Sequence, residues 1–376
     1  MEPKLRIGVV FGGRSAEHEV SLVSAASVIH ALDKEKYEIV PIGITPEGRW
    51  LTASDALKLL REKAKVDQYP EHLIVPNPQR KGLVSLNWTL TSPAVYHVDV
   101  LFPVLHGPYG EDGTIQGLFE LADLPYVGAA VLGSAVGMDK VIQKQLLQHA
   151  KIPTAPGVWF FHKEFSENQK ELLTAIERKL RYPCFVKPAN LGSSVGISKA
   201  HNRKELLAAI SLAGEYDRKI LVEKGIQKAR EIECSVLGNQ EPIASVPGEI
   251  IPSGEFYDYD AKYVDGKSKA AIPAKLPKNV VRKIRDLSIK AFKVLDCEGM
   301  ARVDFLVRGN GTRVYVNEIN TIPGFTPISM YPKLWEASGI RYSELLDRLI
   351  RLALDRYRER KKLKTVYDPK STWYRE

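Results

Sequence analysis

Three oxygen-bearing side chains near the C-terminal end of the chain have the types and spacing of a metal site. Asp304 lies in the stretch ARVDFLV, and Glu318 and Asn320 lie two positions apart in RVYVNEIN. Because alternate side chains of a β-strand share a face, this spacing predicts that Glu318 and Asn320 point the same way. Two carboxylates and an amide are hard oxygen ligands that suit Mg²⁺ or Mn²⁺, especially when phosphate oxygens complete the coordination shell.

The segment between these residues predicts how they meet. Gly-Asn-Gly at 309–311 separates two stretches of strand character, a pattern typical of an antiparallel hairpin. Pairing about this turn brings Asp304 roughly opposite Glu318 and puts Arg302 on the same face as Asp304. An alternative interpretation needs no metal: two polar strands whose charge is balanced by a salt bridge from Arg302.

A second group of residues has the character of a phosphate-binding loop. In VKPANLGSSVG, Lys187 ends an apolar strand and is followed by a small, flexible loop with Gly192, Ser193, Ser194 and Gly196. The backbone N–H groups and hydroxyls of such a loop can close over phosphates. The order Gly-x4-Gly-Lys-Ser/Thr is absent, so this is no Walker A motif, and an ordinary hairpin turn is the alternative.

Two further stretches suggest a nucleotide edge and a covering loop. ILVEKGI is an apolar strand that ends at Glu223, a weak indication of an adenine-binding edge. FYDYDAKYVDGKSKAAIP is aromatic, charged and aperiodic, and it contains Lys262 and Tyr263. A loop of this kind can cover a site and exclude water from a reactive phosphate, although a plain surface loop has the same composition.

The elements that must position these residues begin with a β-α-β unit. LRIGVVFGG predicts a strand, HEVSLVSAASVIHALD a helix and YEIVPIGIT a second strand, which together imply a parallel sheet. Glu17 falls near the helix start, and His106 follows a later strand in VDVLFPVLHG. Both residues are therefore expected at the edge formed by the carboxyl ends of the strands, where open α/β sheets bind their ligands. The glycines do not form GxGxxG, so a Rossmann dinucleotide site is excluded. The stretch from about 51 to 93 is predicted to be irregular and peripheral.

The rest of the chain predicts two further units. MDKVIQKQLLQHAKIP predicts a helix, followed by strand, loop, strand, helix and strand up to KILVEKGI. The last third is rich in strands and is interrupted by one long helix, VVRKIRDLSIKAFKVL. We therefore expect boundaries near residues 128 and 220.

Composition sets the class of the protein. The 376 residues are too many for one ordinary core, and 44% hydrophobic with 26% charged residues is typical of globular domains. The sequence contains no run of about 18 apolar residues, so no membrane span is predicted. The N-terminus lacks the layout of a signal peptide, and three widely spaced cysteines predict reduced thiols in a cytoplasmic protein.

The net charge of +9 leaves two kinds of ligand open, a nucleic acid and a phosphate-bearing small molecule. Much of the excess lies in RYRERKKLK at 356–364, which predicts a solvated helix face followed by a tail.

Taken together and in order, seven segments resemble the D-alanine–D-alanine ligase family of the ATP-grasp superfamily. They are GGRSAEHEVSL, HGPYGEDGT, SAVGMDK, VKPANLGSSVG, EFYDYDAKY, ARVDF and NEINTIPGFTP. The resemblance covers nearly the whole chain and ends near Leu354. It implies an α/β protein with the ATP-grasp fold and an N-terminal parallel α/β domain. The expected division is a substrate-binding domain at 1–128, a central ATP-grasp subdomain at 129–220, and a C-terminal subdomain at 221–376.

The resemblance also implies a reaction, in which ATP drives the joining of two D-alanines through a D-alanyl phosphate. Two Mg²⁺ or Mn²⁺ ions would be held by Asp304, Glu318 and Asn320. The residues implied to bind ATP are Lys140 and Lys187 at the phosphates, Glu223 and Glu231 at adenine and ribose, and Lys262 at the transferring phosphate.

Further residues are implied to act on the amino acids. Arg302 and the backbone N–H of Gly324 would stabilise the oxyanion of the tetrahedral intermediate. Glu17 would orient the first ammonium group and form a hydrogen-bonded triad with Ser193 and Tyr263 that latches two loops. His106 would line the substrate pocket, and Ser329 would bind the second carboxylate.

The sequence departs from the family in two places. Ile322 stands where some relatives have serine before Pro-Gly, and we expect little effect because the backbone acts there. The basic extension beyond about residue 355 has no counterpart, and its role is open.

Two alternatives to this function are retained. Depsipeptide ligases, which join D-alanine to D-lactate, share the fold and the metal site. They lack the YDYDAKY loop, so Tyr263 favours D-alanine as the second substrate. A non-catalytic nucleic-acid-binding protein is a distant alternative suggested by the charge, but the chain contains no recognised nucleic-acid motif. The family resemblance further implies a cytoplasmic homodimer without nucleic-acid or membrane partners.

Overall fold

The N-terminal unit is built on a parallel β-α-β arrangement. The computed structural model describes residues 3–86, 95–252, 269–309 and 313–367. The elements of this unit are β1 Leu5–Gly12, α1 His18–Ala31, β2 Tyr37–Ile44, β3 Trp50–Leu51, α2 Ala56–Arg61, β4 His72–Ile74, β5 Gly82–Ser85, β6 Val95–His97, β7 Val100–Pro103 and α3 Thr114–Leu121. Strand β1 pairs in parallel with β2 and β7, which confirms the predicted parallel sheet.

The stretch expected to be irregular, from about 51 to 93, is more ordered than predicted. Its described part contains the end of β3, helix α2 and the antiparallel pair β4–β5, to which β6 adds a third strand. The expectation of irregular structure was therefore wrong for this part. The two strands within the stretch have three and four residues, which is too short for an alternating pattern to stand out from the sequence.

The central unit is an antiparallel sheet flanked by helices. Its elements are α4 Val131–Met138, α5 Lys140–His149, β8 Gly157–Phe161, α6 His162–Glu167, α7 Gln169–Leu180, β9 Cys184–Pro188, β10 Ser198–Ala200, α8 Arg203–Tyr216 and β11 Lys219–Lys224. The strand order is β10-β9-β11-β8. The predicted boundary near residue 220 falls inside β11, which pairs with β8 and β9. We therefore propose that the central unit ends after Lys224.

The C-terminal unit contains the largest sheet. Its elements are β12 Ala229–Gly238, β13 Ile243–Ala244, β14 Gly248–Ile251, β15 Lys269–Ala271, α9 Lys278–Val294, β16 Gly299–Arg308, β17 Arg313–Asn320, α10 Met330–Ala337 and α11 Tyr342–Arg360. The strands run in the order β15-β14-β12-β16-β17, with β13 paired to β12. Antiparallel pairing of β16 with β17 confirms the predicted hairpin.

Helix α11 joins the two ends of the chain in one core. Leu345, Leu346 and Leu349 on this helix are fully buried in the same cluster as Val9 of β1 and Phe102 of β7. Burial of apolar side chains is the main favourable term in folding, so this shared core ties the C-terminal helix to the N-terminal sheet.

The basic segment after residue 355 was predicted to be a solvated helix face followed by a tail, and this is wrong for Arg356. That side chain is buried, donates to the carbonyl of Tyr126 at 2.7 Å and to that of Gly128, and lies 4.4 Å from the centre of the Tyr126 ring. Two backbone carbonyls and an aromatic face give this guanidinium a partly apolar site with hydrogen-bond acceptors. Residues 358–367 are exposed as predicted.

None of the helices within the described residues combines the length and the apolar character needed to cross a membrane.

Candidate active site

One cleft brings together side chains from all three units. The candidate residues that line it are Glu17, His106, Lys140, Lys187, Ser193, Glu231, Arg302, Asp304, Glu318, Asn320, Gly324 and Ser329. Glu223 is almost completely buried and forms an ion pair with Lys187. Lys262 and Tyr263 lie outside the described residues.

The hairpin of β16 and β17 sets the carboxylates face to face. Asp304 is directly opposite Glu318, where the sequence placed it roughly, and Arg302 is opposite Asn320. The register shifts between Asp304 and Phe305, because Phe305 pairs with Val316. Asn317 is therefore the extra residue of a β-bulge.

The bulge decides which side chains face the cleft. Val314, Val316 and Ile319 are all buried in one core, although the step from 316 to 319 breaks the period of two. With the extra residue at Asn317, the strand keeps its apolar side chains in the core while both Asn317 and Glu318 line the cleft. The sequence analysis missed Asn317, and this break in alternation was the available signal.

Arg302 balances the charge of Asp304 closely. Its Nε donates to Asp304 Oδ1 at 2.7 Å and its Nη2 donates to Oδ2 at 2.6 Å, while Glu233 Oε2 lies 3.0 Å from the same Nε. Burial alone would lower the pKa of Arg302, but Asp304 and Glu233 raise it well above its ordinary value. The salt bridge that the metal-free interpretation predicted is therefore present. It involves Asp304, which is also a candidate metal ligand. Glu233 was not identified from the sequence.

The donor set fits a divalent ion with phosphate ligands. Asp304, Glu318 and Asn320 supply hard oxygens, and Asn320 Nδ2 donates to Asp304 Oδ2 at 3.1 Å. Within the described residues no group of three or more His, Cys, Asp and Glu side chains is placed to hold an ion. Because Mg²⁺ takes about six oxygen ligands, these three residues leave room for water and phosphate oxygens.

Two buried lysines flank a buried carboxylate beside this strand. Lys187 Nζ lies 2.7 Å from Glu223 Oε2, and Lys144 Nζ lies 2.5 Å from Glu223 Oε1. Burial alone would raise the pKa of Glu223, but the two lysines lower it below its ordinary value. Burial lowers the pKa of Lys144, and Glu223 offsets only part of this effect. Lys144 was missed, although it lies four residues after Lys140 and hence on the same helix face.

Lys140 is positioned by the start of α5. Asp139 caps the helix by accepting from the N–H groups of Val141 and Ile142, so the helix begins at Lys140, two residues later than the predicted start at Met138. Lys140 Nζ donates to the carbonyl of Leu191 at 2.6 Å and lies 3.8 Å from Glu318 Oε2. It therefore connects the glycine-rich loop to the metal-site strand.

Glu17 and Ser193 meet across the cleft. Ser193 Oγ donates a hydrogen bond to Glu17 Oε1, and Glu17 is almost completely buried. A Cβ on Gly192 or Gly107 would lie 2.5 or 2.7 Å from Glu17 Oε2, so a larger residue at either position would displace this carboxylate, and the φ of 76° at Gly107 also favours glycine. Ser193 itself has a φ of 47°, a left-handed conformation that is strained for a serine.

His106 is buried beside an acidic partner. Its Nδ1 lies 3.8 Å from Glu111 Oε1, and its Nε2 lies 3.3 Å from Ser24 Oγ. Burial alone would lower the pKa of His106, but Glu111 outweighs burial and raises it above its ordinary value. Glu111 was missed, although it stands in the same motif, HGPYGEDGT.

Gly324 and Ser329 lie at the turn into α10. A Cβ on Gly324 would lie 2.7 Å from Ser329 Oγ, so a larger residue there would displace this hydroxyl. Ser329 Oγ accepts from the N–H of Thr326 at 3.0 Å, and Ser329 is the residue before α10. The free N–H groups at a helix start favour an anion there. Ile322 is buried in the core shared with the N-terminal sheet.

Comparison with known proteins supports a single family. The family described as "D-ala D-ala ligase N-terminus" matches residues 6–129, and "D-ala D-ala ligase C-terminus" matches residues 146–351. A D-alanine--D-alanine ligase from a Thermoanaerobacter species is 54% identical over 362 residues, covering 95% of this chain and 98% of the relative.

Solved structures agree. The D-alanine-D-alanine ligase from Coxiella burnetii has a TM-score of 0.82 at 40% identity, covering 96% of each chain. The VanG D-Ala:D-Ser ligase from Enterococcus faecalis has a TM-score of 0.82 at 38% identity, covering 93% of this chain and 100% of its own.

Proposed function

The chain belongs to the D-alanine–D-alanine ligase family, and we propose that it uses ATP to join two D-alanines for peptidoglycan precursor synthesis. The γ-phosphoryl group passes to the carboxylate of one D-alanine, which yields D-alanyl phosphate and ADP. The amine of the second D-alanine then attacks the acyl carbon, and phosphate leaves as D-alanyl-D-alanine forms. The observation that carries this proposal is the family match over 95% of the chain.

We assign the metal role to Asp304, Glu318 and Asn320, with two Mg²⁺ or Mn²⁺ ions as the expected load. Bound divalent ions would neutralise the phosphate charge during transfer. The placement of Asp304 opposite Glu318 on adjacent strands supports this assignment. Arg302 now balances the charge of Asp304, and Lys140 balances that of Glu318. Positively charged side chains therefore already lie beside the carboxylates that would bind the metal ions.

We assign ATP to the side of the cleft formed by the central unit. Lys140 and Lys187 would contact the phosphates, and Glu223 and Glu231 would contact adenine and ribose. The proximity of Lys140 to Glu318 supports a phosphate position close to the metal site. Lys262 would reach the transferring phosphate, but it lies outside the described residues.

We assign the amino-acid substrates to the opposite side. Glu17 would orient the ammonium group of the first D-alanine, and its hydrogen bond with Ser193 supports a latch that Tyr263 would complete. His106 would line this pocket. Ser329 would bind the second carboxylate, a role supported by its place before the start of α10.

The oxyanion of the tetrahedral intermediate would be stabilised by Arg302 and by the N–H of Gly324. Donors aimed at developing negative charge are among the largest single contributions to catalysis. Arg302 is buried at the cleft wall and its pKa lies well above its ordinary value, so it keeps its charge throughout the reaction.

The choice of second substrate, the location and the oligomeric state are part of the proposal. D-Alanine is favoured over D-lactate because of Tyr263, and the neighbour named as a D-Ala:D-Ser ligase makes D-serine a necessary control. ATP as substrate and three buried, unpaired cysteines support a cytoplasmic location. Family likeness supports a homodimer.

The test combines phosphate release with identification of the product. The protein is incubated with ATP, Mg²⁺ and D-alanine, with L-alanine, D-lactate or D-serine replacing or accompanying D-alanine as controls. We expect phosphate release and D-alanyl-D-alanine by mass spectrometry with D-alanine alone. If D-alanine plus D-lactate gave as much phosphate release as D-alanine alone, together with a depsipeptide product, the chain would instead be assigned to the depsipeptide ligases.

A further inference from the structure

Three buried charged residues and the half-buried Asn317 form a closed ring beside the cleft. Lys144 and Lys187 each contact one oxygen of Glu223, as described above. On the other side both contact Asn317: Lys144 Nζ donates to its carbonyl oxygen at 3.2 Å, and Lys187 Nζ donates to its Oδ1 at 3.3 Å. The four residues, hereafter the buried ring, come from α5, β9, β11 and β17.

The β-bulge explains part of the role of Lys144. A bulged residue is left out of the strand ladder, and a buried carbonyl without a donor is costly. Lys144 supplies a donor to Asn317, but a neutral side chain would do the same without the cost of burying a charge. The charge of Lys144 must therefore serve another partner, and that partner is Glu223.

The net charge of the buried ring also indicates a role for Lys144 in nucleotide binding. Glu223 and Lys187 alone would form a neutral pair, so Lys144 gives the ring a net charge of +1 when all three groups are ionised. An excess positive charge in a buried place is stabilised by an anionic ligand, and a nucleotide brings phosphates to this side of the cleft.

We propose that Lys144 is a positioning residue that aligns the base end of the nucleotide site with its metal end. This inference rests on the proposed function, in which Glu223 contacts adenine and Glu318 binds metal. Lys144 orients the carboxylate of Glu223 so that it accepts a hydrogen bond from the 6-amino group of adenine. Through the carbonyl of Asn317 it also holds the bulge next to Glu318, so both ends of the nucleotide are held by one side chain.

The experiment measures binding rather than turnover. Dissociation constants of ADP and of inosine diphosphate, which lacks the 6-amino group, are determined by calorimetry with Mg²⁺ for the parent and for Lys144→Met. The parent is expected to prefer ADP. In Lys144→Met the ratio of the two dissociation constants falls on the order of tenfold, because the hydrogen bond from the 6-amino group of adenine to the charged Glu223 loses its alignment. Binding of Mn²⁺ to the ADP complex, followed by electron paramagnetic resonance, weakens as well.

Gln143 provides the matched control. It supports the same strand, since its Oε1 accepts from the N–H of Ile319 at 3.3 Å, and its Nε2 donates to the carbonyl of Gly137 at 2.8 Å. Gln143→Met is therefore expected to lower the melting temperature while keeping the base preference within about twofold, since Glu223 keeps both lysines. An equal loss of preference in both variants would mean that Lys144 is merely structural.

A second variant, Lys144→Gln, tests the proposal even if Lys144→Met fails to fold. Lys144→Gln keeps a donor for the carbonyl of Asn317 but removes one of the two positive charges at Glu223, so we expect a smaller drop in melting temperature and the same loss of base preference. Parent-like ADP preference in this variant would overturn the proposal. If the parent fails to make D-alanyl-D-alanine, the proposed function fails, whereas the ratio of the two diphosphate constants still tests Lys144.

Discussion

Ser193 donates a hydrogen bond to Glu17 over an interval of 176 positions in the chain. The contact joins the glycine-rich loop of the central unit to the start of α1 in the N-terminal unit. Both residues line the cleft, and Glu17 is almost completely buried, so the contact links the walls that the two units contribute to the cleft. It is the described part of the latch proposed above, which Tyr263 would complete.

Removing this hydroxyl is expected to loosen the latch. In Ser193→Ala the loss of a hydrogen bond to a charged group corresponds to about 1.5–3 kcal/mol, so kcat/KM for D-alanine should fall on the order of tenfold or more. Steady-state phosphate release measures this. Ser166→Ala removes a surface hydroxyl that donates to the carbonyl of His162 at 3.2 Å and should behave like the parent. Parent-like kinetics in Ser193→Ala would rule the latch out.

Glu318→Gln tests the metal assignment. A neutral amide cannot replace a carboxylate that bridges two cations, so we expect a normally folded variant with most turnover lost and with weaker Mn²⁺ binding. Circular dichroism, phosphate release and paramagnetic resonance give the three readouts. The control is Glu336→Gln on the exposed side of α10. If Glu318→Gln kept nearly normal phosphate release, Glu318 would not be a metal ligand.

Glu111 should hold the pKa of His106 in the folded state above the ordinary histidine value of 6.5. The folded protein therefore binds this proton more tightly, so the contribution to stability is complete below about pH 6.5 and is lost as pH rises through the folded pKa. In Glu111→Gln, burial acts with less opposition and the pKa should fall.

Two measurements check this. Histidine ring signals in NMR give the pKa of His106 in the parent and in Glu111→Gln, with the other histidines as internal references. The stability difference between the two proteins should be larger near about pH 6 than near about pH 9, because the ion pair exists only while His106 is protonated. An unchanged His106 pKa would exclude Glu111 as the cause.

Arg356→Met should destabilise the fold. It leaves the carbonyls of Tyr126 and Gly128 without their donor, and it removes the cation 3.5 Å from Glu298. The expected loss is about 2–4 kcal/mol in the free energy of unfolding, measured by denaturant titration. Arg358→Met, on the exposed face of the same helix, should change it by less than about 0.5 kcal/mol. Equal effects would mean that burial of Arg356 contributes nothing.

Deleting residues 361–376 should leave ligase activity largely intact. Within the described part of this segment, Lys361 Nζ lies 2.6 Å from Asp123 Oδ2, and an exposed ion pair of this kind contributes little to stability. Phosphate release, melting temperature and light scattering compare the truncated and full chains. A drop in melting temperature of more than a few degrees, or a change in oligomer size, would show that Trp373 and Tyr374 pack against the body or a neighbouring subunit.

Much of the site was accessible from the sequence because its residues obey local rules. The Gly-Asn-Gly turn predicts the hairpin and brings Asp304 roughly opposite Glu318, and this pairing is observed, with the bulge at Asn317 supplying the last step in register. The order of seven motifs predicts the family, which the comparisons confirm. The helix cap, by contrast, shifted the start of α5 by two residues, from Met138 to Lys140, since Asp139 prefers to accept from the helix N–H groups rather than join the helix.

By itself, then, the sequence determined which side chains share a face where a strand is regular, and which chemical family the motifs belong to, because alternation and turn chemistry act between near neighbours. It did not determine the faces around the bulge at Asn317. Only the tertiary structure decided that Lys144 reaches both Glu223 and Asn317, and that Arg356 is buried rather than solvated. These contacts join residues 79 to 230 positions apart. Their partners are chosen by the packing of whole elements, and a charged side chain carries no local mark of whether packing will bury it.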